Sequence, residues 1–460
     1  MSRSNGAHSV YAAQWVLPIT APVIAQGAVV VEGERIVFVG PRAELPSRFA
    51  SERCIDLGNA VLMPGLVNAH THLELTALRG FLEGLAFPDW LALLTQARRE
   101  CFDADSLMDS SCAGIAEGLR NGITTYADTT ESGVPLHAMH AMGVRGVGYL
   151  EVFGPDATQR EAALAALLVR AGELRARDTA LVRTGLSPHA PYTVSAALYR
   201  AVAEVARVDQ WPLAVHIAEG VAEMQLVRDG AGPFADRLRA RGIAVSPQAR
   251  SPIALLEACG VLDCRPLLIH AIQVDADDIA TIAGHGATVV HCPVSNLKLG
   301  HGIAPVLDIC SAGVALGLGT DSVASNDRMD LLGEARLAAL LAATRAGVPD
   351  ALSAHDVLAL ATLGGARALG LSDTIGSLEV GKSADLAAFA LTDVDAHPVH
   401  DPVVTLIHVL AGAVRAELVV VAGVVRVRGG ELTTGDPARE QRMAVLGERL
   451  RAWRSLRNLC

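Results

Sequence analysis

Apolar and polar positions divide the chain into two regimes. Near the N-terminus, residues 28–31 form an apolar run, Glu32-Gly33-Glu34 breaks it, and residues 36–39 resume it before Gly40-Pro41 ends it. That is a hairpin pattern. Near the other end, runs at 386–391, 418–421 and 424–427 repeat the style, the last two separated by Ala422-Gly423. Strand-rich ends around a long middle predict one small β-sandwich domain built from both terminal segments, 1–60 and 375–435. Residues 437–454 have helical spacing with many arginines and glutamates. They predict a solvated surface helix in a tail over 436–460.

The middle, 61–374, alternates short apolar runs with helical patterns. The runs lie at 61–67, 123–126, 146–152, 181–186, 213–215, 267–269, 287–290 and 314–318. Amphipathic stretches such as 161–175, 195–206 and 276–284 separate them. Buried parallel strands read as continuous apolar runs, so eight such units predict an α/β fold, a TIM-like (β/α)8 barrel. A doubly wound sheet is the competing arrangement, but no GxGxxG follows the first run.

The residues after each run carry the candidate chemistry. In chain order they are His70 and His72, Asp128, Glu151, His189, His216 with Glu219, His270, His291 and Asp321. Active sites of such barrels are built at these C-terminal strand ends. One histidine there is ordinarily structural, yet five of the eight ends carry one. His70-Thr71-His72 places two imidazoles on one side of a strand, within reach of one metal ion. His216 and Asp321 offer a third nitrogen and an oxygen. Three imidazoles and a carboxylate suit one divalent ion, zinc first and iron as the alternative. Glu219 is placed to pass a proton to a substrate ring nitrogen, or else to cap a helix. His270 is placed to orient water, or else to hydrogen-bond within the core.

Composition narrows the function classes. Net charge is −11, which argues against a general nucleic-acid or anionic-membrane surface. Eight cysteines lie scattered without a CxxC pair, as in a reduced cytoplasmic protein. The start around residues 4–8 is polar, unlike a signal peptide, and no apolar window is long enough for a membrane span. The only lysines are Lys298 and Lys382.

Taken together, VEGERIVFVG, PGLVNAHTHLE, SPHAPYTVS, VHIAE, LIHA, VVHCPVSNLKL, GTDSVASNDRMDLLGEARLAAL and GSLEVGKSADLAAF resemble the amidohydrolase superfamily, in its metal-dependent deaminase and chlorohydrolase branch. The resemblance spans nearly the whole chain. It implies His70, His72, His216 and Asp321 as ligands of one metal, and catalytic roles for Glu219, His270 and Asp321. It implies substrate contacts for Glu219, His189 and Arg79. Two-metal members of the superfamily usually carry a carboxylated lysine on a middle strand. None lies between His72 and His216 here, so one metal is expected, with Glu151 the sole candidate for a bridge.

The implied reaction is hydrolytic deamination of a cyclic amidine by metal-activated water. SPHAPYTVS and the DWL segment resemble S-adenosylhomocysteine/5′-methylthioadenosine deaminases, whereas HTHLE and EVFGP resemble aminodeoxyfutalosine deaminases. Arg99, with Glu100 beside it, stands where the former group has a ribose-binding glutamate, and Glu74 where it has a small or apolar residue. The expected partner is a small heterocyclic substrate, and the expected assembly a homodimer or homotetramer. Alternatives are hydrolysis of guanine, a pterin, a triazine or a cyclic amide, or a non-catalytic scaffold. His291, Asp128 and Asn296 are read as structural or pocket lining, and His301 as a loop histidine without partners.

Overall fold

The computed structural model describes residues 8–49 and 52–457. Part of the polar start, residues 4–7, and Cys460 lie outside the described residues. Strands β1 (His8–Val16), β2 (Ile24–Glu32) and β3 (Arg35–Pro41) form an antiparallel meander. β4 (Arg53–Asp56) and β5 (Ala60–Pro64) run parallel to β1.

The chain then enters two four-stranded parallel sheets. β6 (Leu66–Thr71), β7 (Ile123–Thr130), β8 (Arg145–Val152) and β9 (Val182–Pro188) make one. β10 (Ala214–Ile217), β11 (Leu267–His270), β12 (Thr288–His291) and β13 (Leu316–Leu318) make the other. Isolated parallel bridges Leu186↔Leu213 and Thr71↔Asp321 link the two sheets at both edges. Every residue of β6, β7 and β8 is buried, polar ones included, so both faces of these strands are covered.

The run at 61–67 divides at Gly65. Its first part is β5 of the terminal sheet and its remainder opens β6. A Cβ at Gly65 would lie 2.2 Å from Thr124 Oγ1, so only glycine allows the chain to pass this close to β7. Apolarity alone could not reveal that break.

β14 (Leu386–Ala390), β15 (Ala416–Val421), β16 (Val424–Arg428) and β17 (Glu431–Leu432) complete a nine-stranded sheet ordered β17-β16-β15-β14-β5-β1-β2-β3, with β4 on β1. Both ends of the chain thus enter one sheet. Its two faces pack differently. Leu62, Leu386, Ala388, Leu418 and Val420 join Tyr11, Val29 and Ile36 in a core of the sheet's own. Their strand neighbours Val61, Met63, Ala387, Phe389, Val419 and Val421 join the large core of the parallel sheets. The seam also holds a buried ion pair. Arg145 Nε and Nη2 donate to Asp385 Oδ2 and Oδ1 at 2.8 and 3.1 Å.

The tail forms a helix, Pro437–Ser455, but it is not a solvated one. Leu446, Leu450 and Trp453 are buried against Leu75, Leu78, Phe81, Trp90 and Leu94. The buried positions are four and three residues apart, and the intervening arginines and glutamates hid that stripe in the sequence. The seven described cysteines are free thiols. Among the described residues, no helix is long and apolar enough to cross a membrane.

Candidate metal centre and cavity

The strand ends deliver the expected donors to one place. His70 is the penultimate residue of β6, and His72 follows directly after the strand. Gly319 lets the chain after β13 lie against β6, since a Cβ there would meet the His70 backbone at 2.9 Å. Asp321 N then donates to His70 O at 3.0 Å. His70 Nε2 and His72 Nε2 lie 3.2 and 3.6 Å from Asp321 Oδ1. His216 Nε2 is 3.3 Å from His72 Nε2. The His70 ring lies 4.9 Å from each of the other two rings.

The electrostatics favour a cation here. Burial and the neighbouring His70 push His72 down to about 3. Burial, with His189 and His70, pushes His216 well below its usual range. Burial alone would raise the Asp321 carboxyl, but His70, His270 and His72 hold it well below. Three neutral imidazoles and an ionised carboxylate, with His216 Nδ1 buried and unpartnered, are the donor set a divalent ion requires. Ser295 Oγ donates to Asp321 Oδ2 at 2.5 Å and Ser322 N to Oδ1 at 2.6 Å, fixing the carboxylate. Thr129 Oγ1 lies 3.2 Å from His72 Nδ1.

Glu219 stands at the same rim, just after β10. His270 Nε2 and His301 Nε2 lie 3.6 and 3.2 Å from its Oε1, and Tyr192 donates to Oε2 at 3.4 Å. Burial raises this carboxyl, but His270 and His301 outweigh it and hold it below the usual value. His270 Nδ1 is 2.9 Å from Asn296 Oδ1. A hydrogen on Nδ1 satisfies that contact, and Nε2 faces the Glu219 carboxylate. Glu223, four residues on, accepts from Ala218 N and Glu219 N at 2.8 Å each. Ala218, His270, Ala271 and Asp321 all have left-handed backbone, with φ of 50°, 78°, 44° and 57°. Non-glycine strain gathered at one rim is characteristic of a functional site.

A cavity of about 180 Å³ opens on these groups. His72, His216, Glu219, His270 and Asp321 form its floor, and Phe87, Trp90, Leu91, Leu94, Phe153 and Tyr192 line its sides. The helix Phe87–Cys101 supplies much of this wall. His189 reaches the cavity from β9, with Nδ1 2.8 Å from Thr193 Oγ1 and Nε2 3.9 Å from Glu151 Oε1. Burial, then the Glu74 charge, pushes Glu151 up to about 8.

The amidohydrolase family profile matches residues 61–426, most of the chain. The chain belongs to the amidohydrolase family. It is 33% identical over 422 residues to a 5-methylthioadenosine/S-adenosylhomocysteine deaminase of Moorella thermoacetica, covering 92% of this chain and 94% of that one. Among solved structures it resembles an adenosine deaminase from Xanthomonas campestris with bound zinc, at 34% identity and a TM-score of 0.84, over 97% and 99% of the two chains. It also resembles the zinc complex of an atrazine chlorohydrolase from Arthrobacter aurescens, at 28% identity and a TM-score of 0.80, over 96% and 99%. Family and neighbours together imply a TIM-like barrel, and the two parallel sheets accord with it.

Not every expected residue of this amidohydrolase reaches the cavity. Arg79 does not. It ion-pairs with Glu117 on a separate surface groove, where its side chain is largely exposed. Arg99 and Glu100 are exposed, and Glu100 accepts from Trp453 Nε1 at 2.8 Å. The neighbouring Arg98 lines the cavity instead, bound to Glu74 at 3.0 Å. Asp128 accepts from Leu73 N at 2.6 Å, and His291 is buried beside Asn296. His301, read as partnerless, contacts Glu219. Its loop is brought there by tertiary packing, and its closeness in sequence to the Asn296 motif was the only available hint. Glu223 was overlooked too; it lies in a short helix, Val221–Met224, that begins two residues after Glu219.

Proposed function

We propose that this chain is a metal-dependent aminohydrolase that releases ammonia from an adenine-type nucleoside, such as S-adenosylhomocysteine, 5′-methylthioadenosine or aminodeoxyfutalosine. One observation carries the reading. A buried carboxyl, Glu219, faces the same cavity as a three-histidine, one-carboxylate donor set, within 3.6 Å of His270. Relatives named as deaminases of such nucleosides support it.

His70, His72, His216 and Asp321 are the proposed ligands of one ion, zinc in preference to iron, as neutral imidazoles with a carboxylate suit it. When bound, such an ion lowers the pKa of water toward neutrality and so supplies a nucleophile. The protein's own groups handle the protons. Glu219 rests ionised, accepts at Oε1 the proton given up by the attacking water and passes it to a ring nitrogen of the substrate. His270 Nε2 shares that proton and keeps Glu219 oriented. His189 lines the side of the bound ring, while the aromatic and leucine wall excludes water. Arg79 has no part in this scheme.

The same reading takes β6–β13 as one closed barrel in a domain that begins at Gly65, not at the expected 61, and runs to 374, because β5 belongs to the terminal sheet. The nine-stranded sheet, which takes in β5, would fold over its own core as a sandwich from the segments before 65 and over 375–435, followed by the tail from 436. Its two differently packed faces support this. The resemblance further implies a cytoplasmic homodimer or homotetramer.

A coupled ammonia assay over S-adenosylhomocysteine, methylthioadenosine, adenosine, aminodeoxyfutalosine, guanine and cytosine tests the function. Turnover of an adenine compound is expected, and turnover of guanine or cytosine alone refutes it. The likeness to an atrazine chlorohydrolase favours triazine hydrolysis as the second reading. Chloride release from a chlorotriazine would identify it. Glu219→Gln should abolish deamination with metal content unchanged, and an active variant would remove Glu219 from the chemistry.

A further inference from the structure

Glu219 is approached by an imidazole that is not among the groups lining the cavity, that of His301. Its Nε2 is buried without an aligned hydrogen bond, and the polar atom it faces, at 3.2 Å, is Glu219 Oε1. A buried nitrogen left unpaired is costly, so a structure that keeps one here holds it for a partner. Contacts around a catalytic carboxyl are often loosely aligned in the free site and tighten when substrate binds. Phe87, which does line the cavity, meets the His301 ring edge-on at 4.6 Å. His301 therefore reaches the chemistry only through Glu219.

The ring is seated by its own backbone and by a gap opposite it. His301 N donates to Asn296 O at 2.8 Å, and His301 O accepts from Gln273 Nε2 at 2.9 Å. Gln273 N donates in turn, at 2.8 Å, to the carbonyl of Ala218, the residue before Glu219. Asn296 also holds His270 Nδ1, so one loop steadies both imidazoles beside Oε1. The gap is Gly220. A Cβ there would lie 2.7 Å from His301 Nδ1 and 3.1 Å from Cε1. Gly220 has φ −145° and ψ 165°, extended backbone open to any residue. Space for this ring, and not backbone conformation, is what calls for glycine here.

We propose that His301 is a positioning residue for Glu219, admitted by the missing side chain at Gly220, and that it holds the carboxyl turned toward the reacting ring. With its hydrogen on Nε2, His301 donates to the carboxylate. Each carboxylate oxygen has two acceptor sites, so Oε1 keeps room for the proton of the attacking water. The proposal rests on the deaminase reading above and adds the residue that aims its proton carrier. The surrounding charges give the pH consequence. Oε1 faces His270 and His301, Oε2 faces Tyr192, and His189, Asp321 and Glu223 lie nearby. Burial raises the carboxyl, His270 and His301 bring it down, and Asp321 pushes it up. His301 also borders a surface groove with Asp275, Asp278 and Arg345, where Arg250 pairs both acids. Removing His301 takes away a donor that favours the ionised carboxyl, so Glu219 becomes easier to protonate.

The experiment measures kcat, KM, metal content and the pH profile of kcat/KM for wild type, His301→Ala, His301→Gln, Gly220→Ala and the double variant G220A/H301A. The substrate is the adenine compound that wild type turns over fastest. In H301A, kcat is expected to fall roughly tenfold or more, with KM and metal content within about twofold. The acidic limb of kcat/KM, where Glu219 must be ionised, is expected to move up by about one pH unit. H301Q can still present an N–H to Oε1 and should stay within about threefold of wild type. G220A pushes the ring aside and should lower kcat about fivefold or more in the wild-type chain. In H301A it should change kcat by less than about twofold, since both substitutions act through one contact. H301A with kcat within about twofold of wild type and an unmoved acidic limb overturns the proposal. G220A that costs the same in both backgrounds overturns it too, by making the glycine a requirement of the backbone. Should H301A fail to fold, G220A decides by the same kcat and acidic-limb criteria. A wild type inactive on every adenine compound refutes the functional reading, whereas an active wild type equalled by H301A refutes only this proposal.

Discussion

Glu223→Gln asks how tightly the position of Glu219 is controlled. Glu223 is 1% exposed, and its two oxygens accept the N–H groups of Ala218 and Glu219, each at 2.8 Å. Ala218 carries left-handed backbone, so the turn that aims Glu219 is held by this carboxyl against an intrinsic preference for another conformation. Glutamine keeps the shape but turns one acceptor into an NH2 donor facing an N–H. One hydrogen bond is lost and a buried donor is left unpaired, a cost of about 1–3 kcal/mol. If the turn relaxes to relieve that cost, the Glu219 carboxyl moves, and a displacement of ~1 Å reduces rate by roughly 10²-fold. The expected result is kcat lowered by about 10- to 100-fold, with KM and metal content little changed. Burial pushes the Glu223 carboxyl up to about 8, so wild type and variant are best compared above that pH, where the native group is ionised. Steady-state kinetics and denaturant unfolding measured together separate the outcomes. A variant that loses stability yet keeps kcat within about twofold would show that Glu223 supports the fold and not the aim of Glu219.

Metal-free protein should be most stable between about pH 4.5 and 6.5. Burial raises Glu151, Glu223 and Glu334 from 4.5 to about 8. Their contribution is complete below the unfolded value and is lost as pH rises through about 8. Burial lowers His72 and His291 from 6.5 to about 3 and His189 to about 4, so their contribution is lost as pH falls toward those values. Thermal melts of chelated protein across pH report this, and a maximum above pH 8 would contradict it. Trp453→Ala should cost about 3 kcal/mol, because this side chain is buried against Phe81 and hydrogen-bonded to Glu100. It should also raise KM, since the same cluster supports the helix that carries Trp90, Leu94 and Arg98. A loss under ~0.5 kcal/mol in denaturant unfolding would return the tail to the status of a surface helix.

Much of the site is local in sequence because chemistry and strand geometry coincide there. HxH at a strand end puts two imidazoles on one side by pleat alone. Eight runs, each followed by a histidine or an acid, carried the α/β architecture and the cluster of residues at the strand ends, since strands buried on both faces show no polar alternation. The same run-reading blurred the passage from β5 to β6, where a single glycine, not a change in polarity, moves the chain from one sheet to the other.

Contacts between distant segments were not legible in this way. Arg98 and Arg99 are adjacent and chemically alike, and only the rotation of one helix against the barrel decides which of them faces the cavity. Arg79 is drawn away by Glu117, a partner 38 residues off. His301 looks like any loop histidine until packing sets it against Glu219. The tail reads as solvated because three buried side chains are diluted among charges. Hydrophobic period and side-chain chemistry are properties of neighbours along the chain, so the sequence alone sufficed for the alternating architecture and for the histidines and carboxylates that gather at the strand ends. Which charges meet across the cavity, and which stay unpaired, depends on helix rotation and loop packing, and those were settled only by the folded whole.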